Sequence, residues 1–167
     1  MTNFYLGLAR GPIDHNASSV INVVADDAIE MGSVVILDTT VESAELLPRV
    51  LEAPAVQGSK GYGIAVGGDA DGIYSTTGAA SGTDGTKATT AATQGVVVVT
   101  QGRCLARVDS TGGGAVIVGS PLTISDTTTG TLELATSGDE VIALALQLGT
   151  TTTDIIAVDV QREGALA

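Results

Sequence analysis

The apolar residues of this chain come in short β-branched runs. Each run is cut by glycine, threonine, aspartate or proline before it can complete three helical turns. Val20–Val24, Ser33–Leu37, Gly61–Val66, Gly95–Gln101, Arg103–Val108, Ala115–Val118, Leu122–Ser125, Leu132–Ala135, Val141–Leu148 and Asp154–Val160 all have this form. Val and Ile suit a pleated, half-buried surface, and the separators are turn formers. Asp38-Thr39-Thr40, Gly67–Gly72, Asp109–Gly114, Ser120-Pro121, Asp126–Gly130, Thr136–Glu140 and Gly149–Thr153 separate the runs. Many short strands at this spacing predict an all-β fold, a compact β-barrel or β-sandwich.

Some segments need arbitration. Gly95–Gln101 (GVVVVTQ) is the clearest strand, and Arg103–Val108 is its partner or its continuation. Val141–Leu148 (VIALALQL) has a helix-compatible composition, but its length and flanking turns favour a buried strand. Asp26–Gly32 reads as a turn or a single helical turn ending in glycine. Glu42–Ala55 carries Pro48 and Pro54, and proline costs about 3 kcal/mol in a helix interior, so an irregular strand around Arg49–Val56 is expected.

Two stretches stand apart. Residues 1–18 read as an extended N-terminal arm, with Phe4, Tyr5, Leu6 and Leu8 as its contact residues. Residues 19–167 then form a single β-barrel domain with a long Ser/Thr/Gly/Ala loop at about 75–94. Thr76, Thr83, Asp84 and Lys87 are the candidate exposed residues of that loop.

At 167 residues the chain can build a core without a metal or disulfide staple. Aromatics are only 2%, namely Phe4, Tyr5, Tyr62 and Tyr74, so Val, Ile, Leu and Ala must fill that core. Nineteen Asp and Glu against seven Lys and Arg give a formal charge of −12. Such a surface is unsuited to nucleic acid or anionic lipid, whose affinity comes from Lys and Arg. The acidity fits solubility by self-repulsion, or work in high salt, where a Debye length of about 3 Å at 1 M screens it. Lysine occurs only at Lys60 and Lys87, which leans toward salt. Neither a basic, apolar export signal nor a bilayer-length apolar run is visible.

Chemistry is sparse. His15 and Cys104 are the only histidine and cysteine, too few for a typical zinc site. A Cys104–His15 nucleophile pair is formally possible, but the alternation in Gln101–Val108 makes Cys104 a small core residue. Asp69-Ala70-Asp71-Gly72 lacks the remaining ligands of an EF-hand loop and reads as a turn. Gly112–Gly114 lacks the Gly-Lys-Ser/Thr of a phosphate loop. Asp38, Asp109, Asp126 and Asp139 sit in or beside turns and could pair as acid and base, yet a sugar cleft needs aromatic platforms that are missing. Asn16-Ala17-Ser18 matches a glycosylation sequon, a pattern of low specificity. No catalytic centre, cofactor site or metal site is expected.

The order of segments carries a resemblance. It runs through Ala28–Val35, then Gly63–Val66 with the acidic turn Gly68-Asp69-Ala70. It continues through Gln101–Val108, Val118–Leu122, Gly138–Leu146 and Ile155–Val160. Over roughly residues 20–160 this resembles the tailed-virus capsid decoration, or cement, proteins of the small β-barrel type. The resemblance implies a homotrimer on the outer surface of an icosahedral capsid, bridging subunits of the major capsid protein. It also implies an arm that pairs with a capsid-protein strand, no active site, and synthesis in the host cytoplasm. The long loop and the acidic, lysine-poor surface depart from the family and suggest a virus of a saline host, such as a halophilic archaeon or a marine bacterium. The charge agrees, since the inner face of a shell meets packaged DNA and the outer face does not. The alternatives are a receptor- or glycan-binding surface module of a virion tail or fibre, and a hydrolase using turn carboxylates.

Overall fold

The computed structural model describes residues 19–40, 48–56, 59–68, 89–90, 95–111, 114–150 and 154–161. They contain eleven strands: β1 (Ser19–Ala25), β2 (Ile29–Glu30), β3 (Val34–Leu37), β4 (Arg49–Glu52), β5 (Gly63–Gly68), β6 (Thr89–Thr90), β7 (Gly95–Val108), β8 (Pro121–Ile124), β9 (Leu132–Leu134), β10 (Ala143–Ala145) and β11 (Asp154–Val160). There is no helix among the described residues. The fold is all-β, as the punctuated β-branched runs predict.

The pairings close. β1, β4, β3, β5 and β7 follow one another, and β7 returns to β1, which makes a closed five-stranded barrel. Its pairs are antiparallel except β1–β4. From the same β7 a second ring runs through β11, β10, β8 and β9, and β9 rejoins β7 through the parallel pair Val108–Leu132. β2 and β6 form a separate two-stranded pair.

The fourteen-residue β7 therefore belongs to both rings, and its sequence explains how. In its first half Val96 and Val98 point into the barrel, against Val23, Ala25, Val35, Val50 and Ala65. Val97 and Val99 point outward but are also buried, packed with Val34, Ile64 and Val66 against the interior of the second ring. A strand covered on both faces needs no alternation, so GVVVV is continuous. In its second half the buried parity changes to Cys104, Ala106 and Val108, with Gln101 and Arg103 exposed. The change occurs across Thr100, where the β1 register shifts between Val20–Val99 and Ser19–Gln101. Gly102, whose φ of 102° lies where an L side chain is strained, already carries the new parity, and its pairing with Val160 continues unbroken to Val108–Asp154. The irregularity thus turns β7 over as it passes from one ring to the next. Gln101–Val108 is the continuation of the first run, not its partner.

The rings are also joined by backbone. Val34 N donates to Gly130 O at 3.0 Å, Gly130 N to Ala53 O at 2.9 Å, and Arg107 N to Gly32 O at 2.8 Å. The two faces of the joint share one apolar cluster that includes Val34, Ala53, Leu122, Leu132, Ile142 and Val158. Each such side chain, fully buried, contributes about 1.5–3 kcal/mol.

Several boundaries differ from expectation. Ala115–Val118 is not a strand, since only Val116 bridges, to Gly149. The backbone on either side bends at Gly114 (φ 111°) and Gly119 (φ 88°), conformations that leave a ladder. Val141–Leu148 is regular only over Ala143–Ala145. Leu146 N still reaches Ala157 O at 2.8 Å, but Ala157 N turns to the Gln147 side-chain oxygen at 2.9 Å, which ends the backbone ladder. The expected Arg49–Val56 strand stops at Glu52, because Pro54 has no N–H and Val56 N folds back to Pro54 O at 2.7 Å. The Asp26–Gly32 turn contains the two-residue β2, and Gly67 and Gly68 extend β5 rather than open the next turn.

Candidate binding surface

The turn carboxylates form structural networks. Asp38 accepts from Thr40 Oγ1 at 2.7 Å and Thr40 N at 2.8 Å, and these hydrogen bonds hold its carboxyl below the ordinary carboxylate range. Asp139 accepts from Thr136 N and Oγ1 at 2.7 and 2.8 Å. Asp109 is buried, taking Thr111 N and Oγ1 on Oδ1 and the hydroxyls of Thr127 and Thr128 on Oδ2 at 3.2 and 3.1 Å. The contacts to Thr40, Thr111 and Thr136 staple aspartate to the chain two or three residues away, while those of Asp109 to Thr127 and Thr128 join distant turns. Asp38 and Asp139 each use one carboxylate oxygen in these contacts, and Asp109 uses both.

Beside Asp109 lies Glu133, also buried, accepting from Ser125 Oγ at 2.9 Å and Asp126 N at 3.3 Å. Burial raises its carboxyl above the ordinary range, and the negative charges of Asp126 and Asp109 add to this. The Ser125 hydroxyl oxygen takes the N–H groups of Thr127 and Thr128 at 3.2 and 3.1 Å, so this threonine-rich turn is closed on itself. Among the described residues no cluster of three or more His, Cys, Asp or Glu is arranged to hold a metal ion.

A second polar cluster pins the joint between the rings. Arg107 is buried and forms an ion pair with Glu30 and a hydrogen bond from its Nη1 to Ser33 Oγ at 3.1 Å. Ser33 Oγ donates to Glu52 Oε1 at 2.8 Å, and Glu30 N donates to the same oxygen at 2.6 Å. Gly130 closes over this cluster at φ 71°, where an added Cβ would meet Ser33 Oγ at 2.9 Å and Glu52 Oε2 at 3.1 Å. Arg107 and Ser33 are the buried members of this cluster, and removing one partner of a buried ion pair leaves the other charge uncompensated.

Cys104 is free, 1% exposed and part of the core shared by the rings. Burial, with Asp159 nearby, pushes its thiol well up from its ordinary range, which is the reverse of an activated nucleophile. The strand position read from its alternation is the observed one. His15 lies outside the described residues.

The outside of the second ring carries an apolar edge that sequence reading missed. Six large apolar side chains are exposed among the described residues, and four of them, Ile117, Val118, Leu148 and Ile155, fall here. Val116 is buried and bridges Gly149, so Ile117 and Leu148 face outward beside one another. Ile155 lies on β11, whose Ala157 O accepts from Leu146 N at 2.8 Å. Val118 sits at the tip of a turn closed by Ser120 N to Ile117 O at 3.0 Å and Ile117 N to Ser120 Oγ at 3.1 Å. Gly119 N donates to Ala145 O at 2.8 Å, which ties the tip to the sheet. In sequence Ala115–Val118 looked like one more short strand, and the exposure of three of its four residues was not legible.

The expected arm residues Phe4, Tyr5, Leu6 and Leu8, and the expected loop residues Thr76, Thr83, Asp84 and Lys87, lie outside the described residues. No helix of the described chain is long and apolar enough to cross a membrane.

Neither a protein-family model nor a curated protein matches the sequence. Among solved structures the chain is similar to the N base of the head fiber gp8.5 of bacteriophage phi29. The two are 10% identical with a TM-score of 0.52, over 90% of this chain and 98% of that one. At that identity the likeness establishes a shared β fold over nearly the full length of both chains.

Proposed function

We propose that this chain is a structural protein of a tailed-virus particle, a capsid decoration (cement) protein that binds the outer surface of the shell and bridges major capsid protein subunits. The observation that carries the reading is the fold shared with the phage head-fiber base over 90% of the chain. Three further features support it. The order of segments resembles the small β-barrel decoration proteins. Asp38, Asp109 and Asp139 accept hydrogen bonds that hold turns. The charge of −12 suits a face turned away from nucleic acid. Residues 1–18, with Phe4, Tyr5, Leu6 and Leu8, would add a strand to a capsid-protein edge, backbone bonds giving affinity and side chains specificity. Over many copies, weak contacts sum. The homotrimer and the saline host belong to the same reading.

Mass spectrometry and a density map of the parent particle test this directly. The protein should be found in purified virions, with density outside the shell. Full-length protein should bind shells that lack it, and protein without residues 1–10 should stay folded but not bind. Full occupancy by the truncated protein would remove the arm from the reading.

A second reading has one specific observation in its favour, since the solved neighbour is a head fiber. In it the chain is a receptor- or glycan-binding surface module, with residues 75–94 carrying recognition. Replacing that segment should then abolish binding on a glycan array or to host cells while shell binding persists.

A further inference from the structure

Four side-chain oxygens stand in line across the end of the second ring. Asp109 Oδ2 meets Thr127 Oγ1 at 3.2 Å, Thr127 Oγ1 meets Ser125 Oγ at 3.0 Å, and Ser125 Oγ meets Glu133 Oε2 at 2.9 Å. The path starts just past β7, crosses the turn between β8 and β9, and ends on β9. It spans the closure of the ring, where Val108 pairs with Leu132 and Asp109 N donates to Leu132 O at 2.7 Å. Asp109, Ser125 and Glu133 are buried.

The path has three contacts, and its two hydroxyls supply two hydrogens. With both carboxylates charged, Thr127 donates to Asp109 and Ser125 donates to Glu133. The contact between the two hydroxyls is then left without a hydrogen. One more proton, on Glu133 Oε2, fills every contact. Glu133 then donates to Ser125, Ser125 to Thr127, and Thr127 to Asp109. The backbone N–H groups of Thr127 and Thr128 that reach Ser125 Oγ lie off the path and leave this count unchanged.

The surroundings decide which end holds the proton. Asp109 accepts from Thr111 N and from the hydroxyls of Thr111, Thr127 and Thr128, and such donors favour a charged carboxylate. Glu133 has the Ser125 hydroxyl and one long contact from Asp126 N at 3.3 Å. The charges that act on Glu133, from Asp126 in the turn and Asp109 beyond β7, are both negative. β8 carries no titratable side chain, and its Thr123 stands opposite Glu133. Arg107 of β7 is engaged by Glu30 and Ser33.

We infer that Asp109 and Glu133 share one proton through the Ser125 and Thr127 hydroxyls, and that this proton locks the closing strand of the second ring. Raising the pH removes it. Two like charges then stand at the ends of the path, one contact is unfilled, and β9 loosens from β7. The lock belongs to the fold and does not depend on the capsid reading.

Carbon-detected NMR of the side-chain carboxyls, titrated from about pH 3 to about pH 9, tests it. Glu133 should titrate above the ordinary glutamate range in the parent. Thr127→Val cuts the path and leaves the Ser125 hydrogen free for a charged Glu133. Its Glu133 midpoint should fall by roughly half a pH unit or more, the scale of one hydrogen bond. Burial alone predicts the opposite, since valine replaces a polar neighbour with an apolar one. Thr127→Ser keeps the hydroxyl and should keep the parent midpoint. Thr128→Val removes a donor to Asp109 that is off the path and should also leave the midpoint in place. Thr127 is exposed, so its variants should fold as the parent does. In the parent, native-state exchange of the Asp109 amide, corrected for the chemical step, should speed up as pH rises through the Glu133 midpoint. A parent Glu133 that titrates at or below the ordinary glutamate value would overturn the inference. So would an unchanged or raised midpoint in Thr127→Val, an equal fall in Thr127→Ser or Thr128→Val, or Asp109 exchange that ignores the titration.

Discussion

Replacing Gly63 with alanine places a methyl group where β5 crosses β7. The added carbon would lie 2.5 Å from Val98 Cγ1 and 2.5 Å from the Val99 carbonyl oxygen. Ordinary contact needs about 3.5–4.0 Å, so the strands must part by roughly 1 Å. The obstacle includes backbone, which no rotamer change relieves. Parting them stretches the ladder around Ile64–Val99 and Ala65–Val98. Losing two ladder hydrogen bonds costs about 1–3 kcal/mol net, and overpacking a core costs a similar ~1–3 kcal/mol. We expect a loss of about 3 kcal/mol, or roughly 6–12 °C in Tm for a chain of this size. Two controls separate the cause. Gly61→Ala also meets an atom closely, at 2.7 Å, but that atom is the terminal Cδ1 of Ile142, which can move. It should cost clearly less. Gly119→Ala meets nothing within 4 Å, and only its φ of +88° opposes it, at about 1–2 kcal/mol. Urea unfolding at pH 7 measures all three. If Gly63→Ala is no more destabilising than Gly119→Ala, the close approach of β5 to β7 is not what that glycine serves.

Arg107→Met should destabilise by about 2–3 kcal/mol in urea unfolding, below the ~3–5 of a wholly buried pair because Glu30, at 34% side-chain exposure, can rehydrate. Adding Glu30→Leu should recover part of that loss. Cys104 should react with a thiol reagent only as fast as the rings open, and freely in urea, since it is 1% exposed. Immediate labelling of native protein would contradict the core placement. Burial raises the folded-state pKa of Glu133 above the ordinary glutamate value of 4.5, so its charged form is disfavoured in the fold. The parent should therefore gain stability as pH falls from neutral through the raised pKa toward 4.5, and Glu133→Gln should flatten that part of the profile measured by thermal melts.

The all-β class was legible because it needs only local information. A β-branched run between turn residues is a strand whatever it packs against, and β1, β3, β8, β9 and β11 fall within a residue or two of their runs. Cys104 was legible for the same reason, since alternation places every second residue inside. The turn aspartates were visible as residues but not as roles. Asp109 became a buried staple only when the fold brought Thr127 and Thr128, eighteen and nineteen residues away, to its carboxylate.

What composition and pattern determined alone was a β protein of strongly acidic formal charge, with a core of Val, Ile, Leu and Ala. Tertiary structure decided what those strands enclose. Whether GVVVVTQ and RCLARV are two strands or one depends on the irregularity at Thr100, which turns the strand without ending it and makes β7 the shared wall of two rings. Whether Ile117, Val118 and Leu148 are core or surface depends on the bridge between Val116 and Gly149, which no local pattern encodes. Hydrophobicity says that a side chain prefers burial. Only the closed ring says which apolar side chains it encloses and which remain outside.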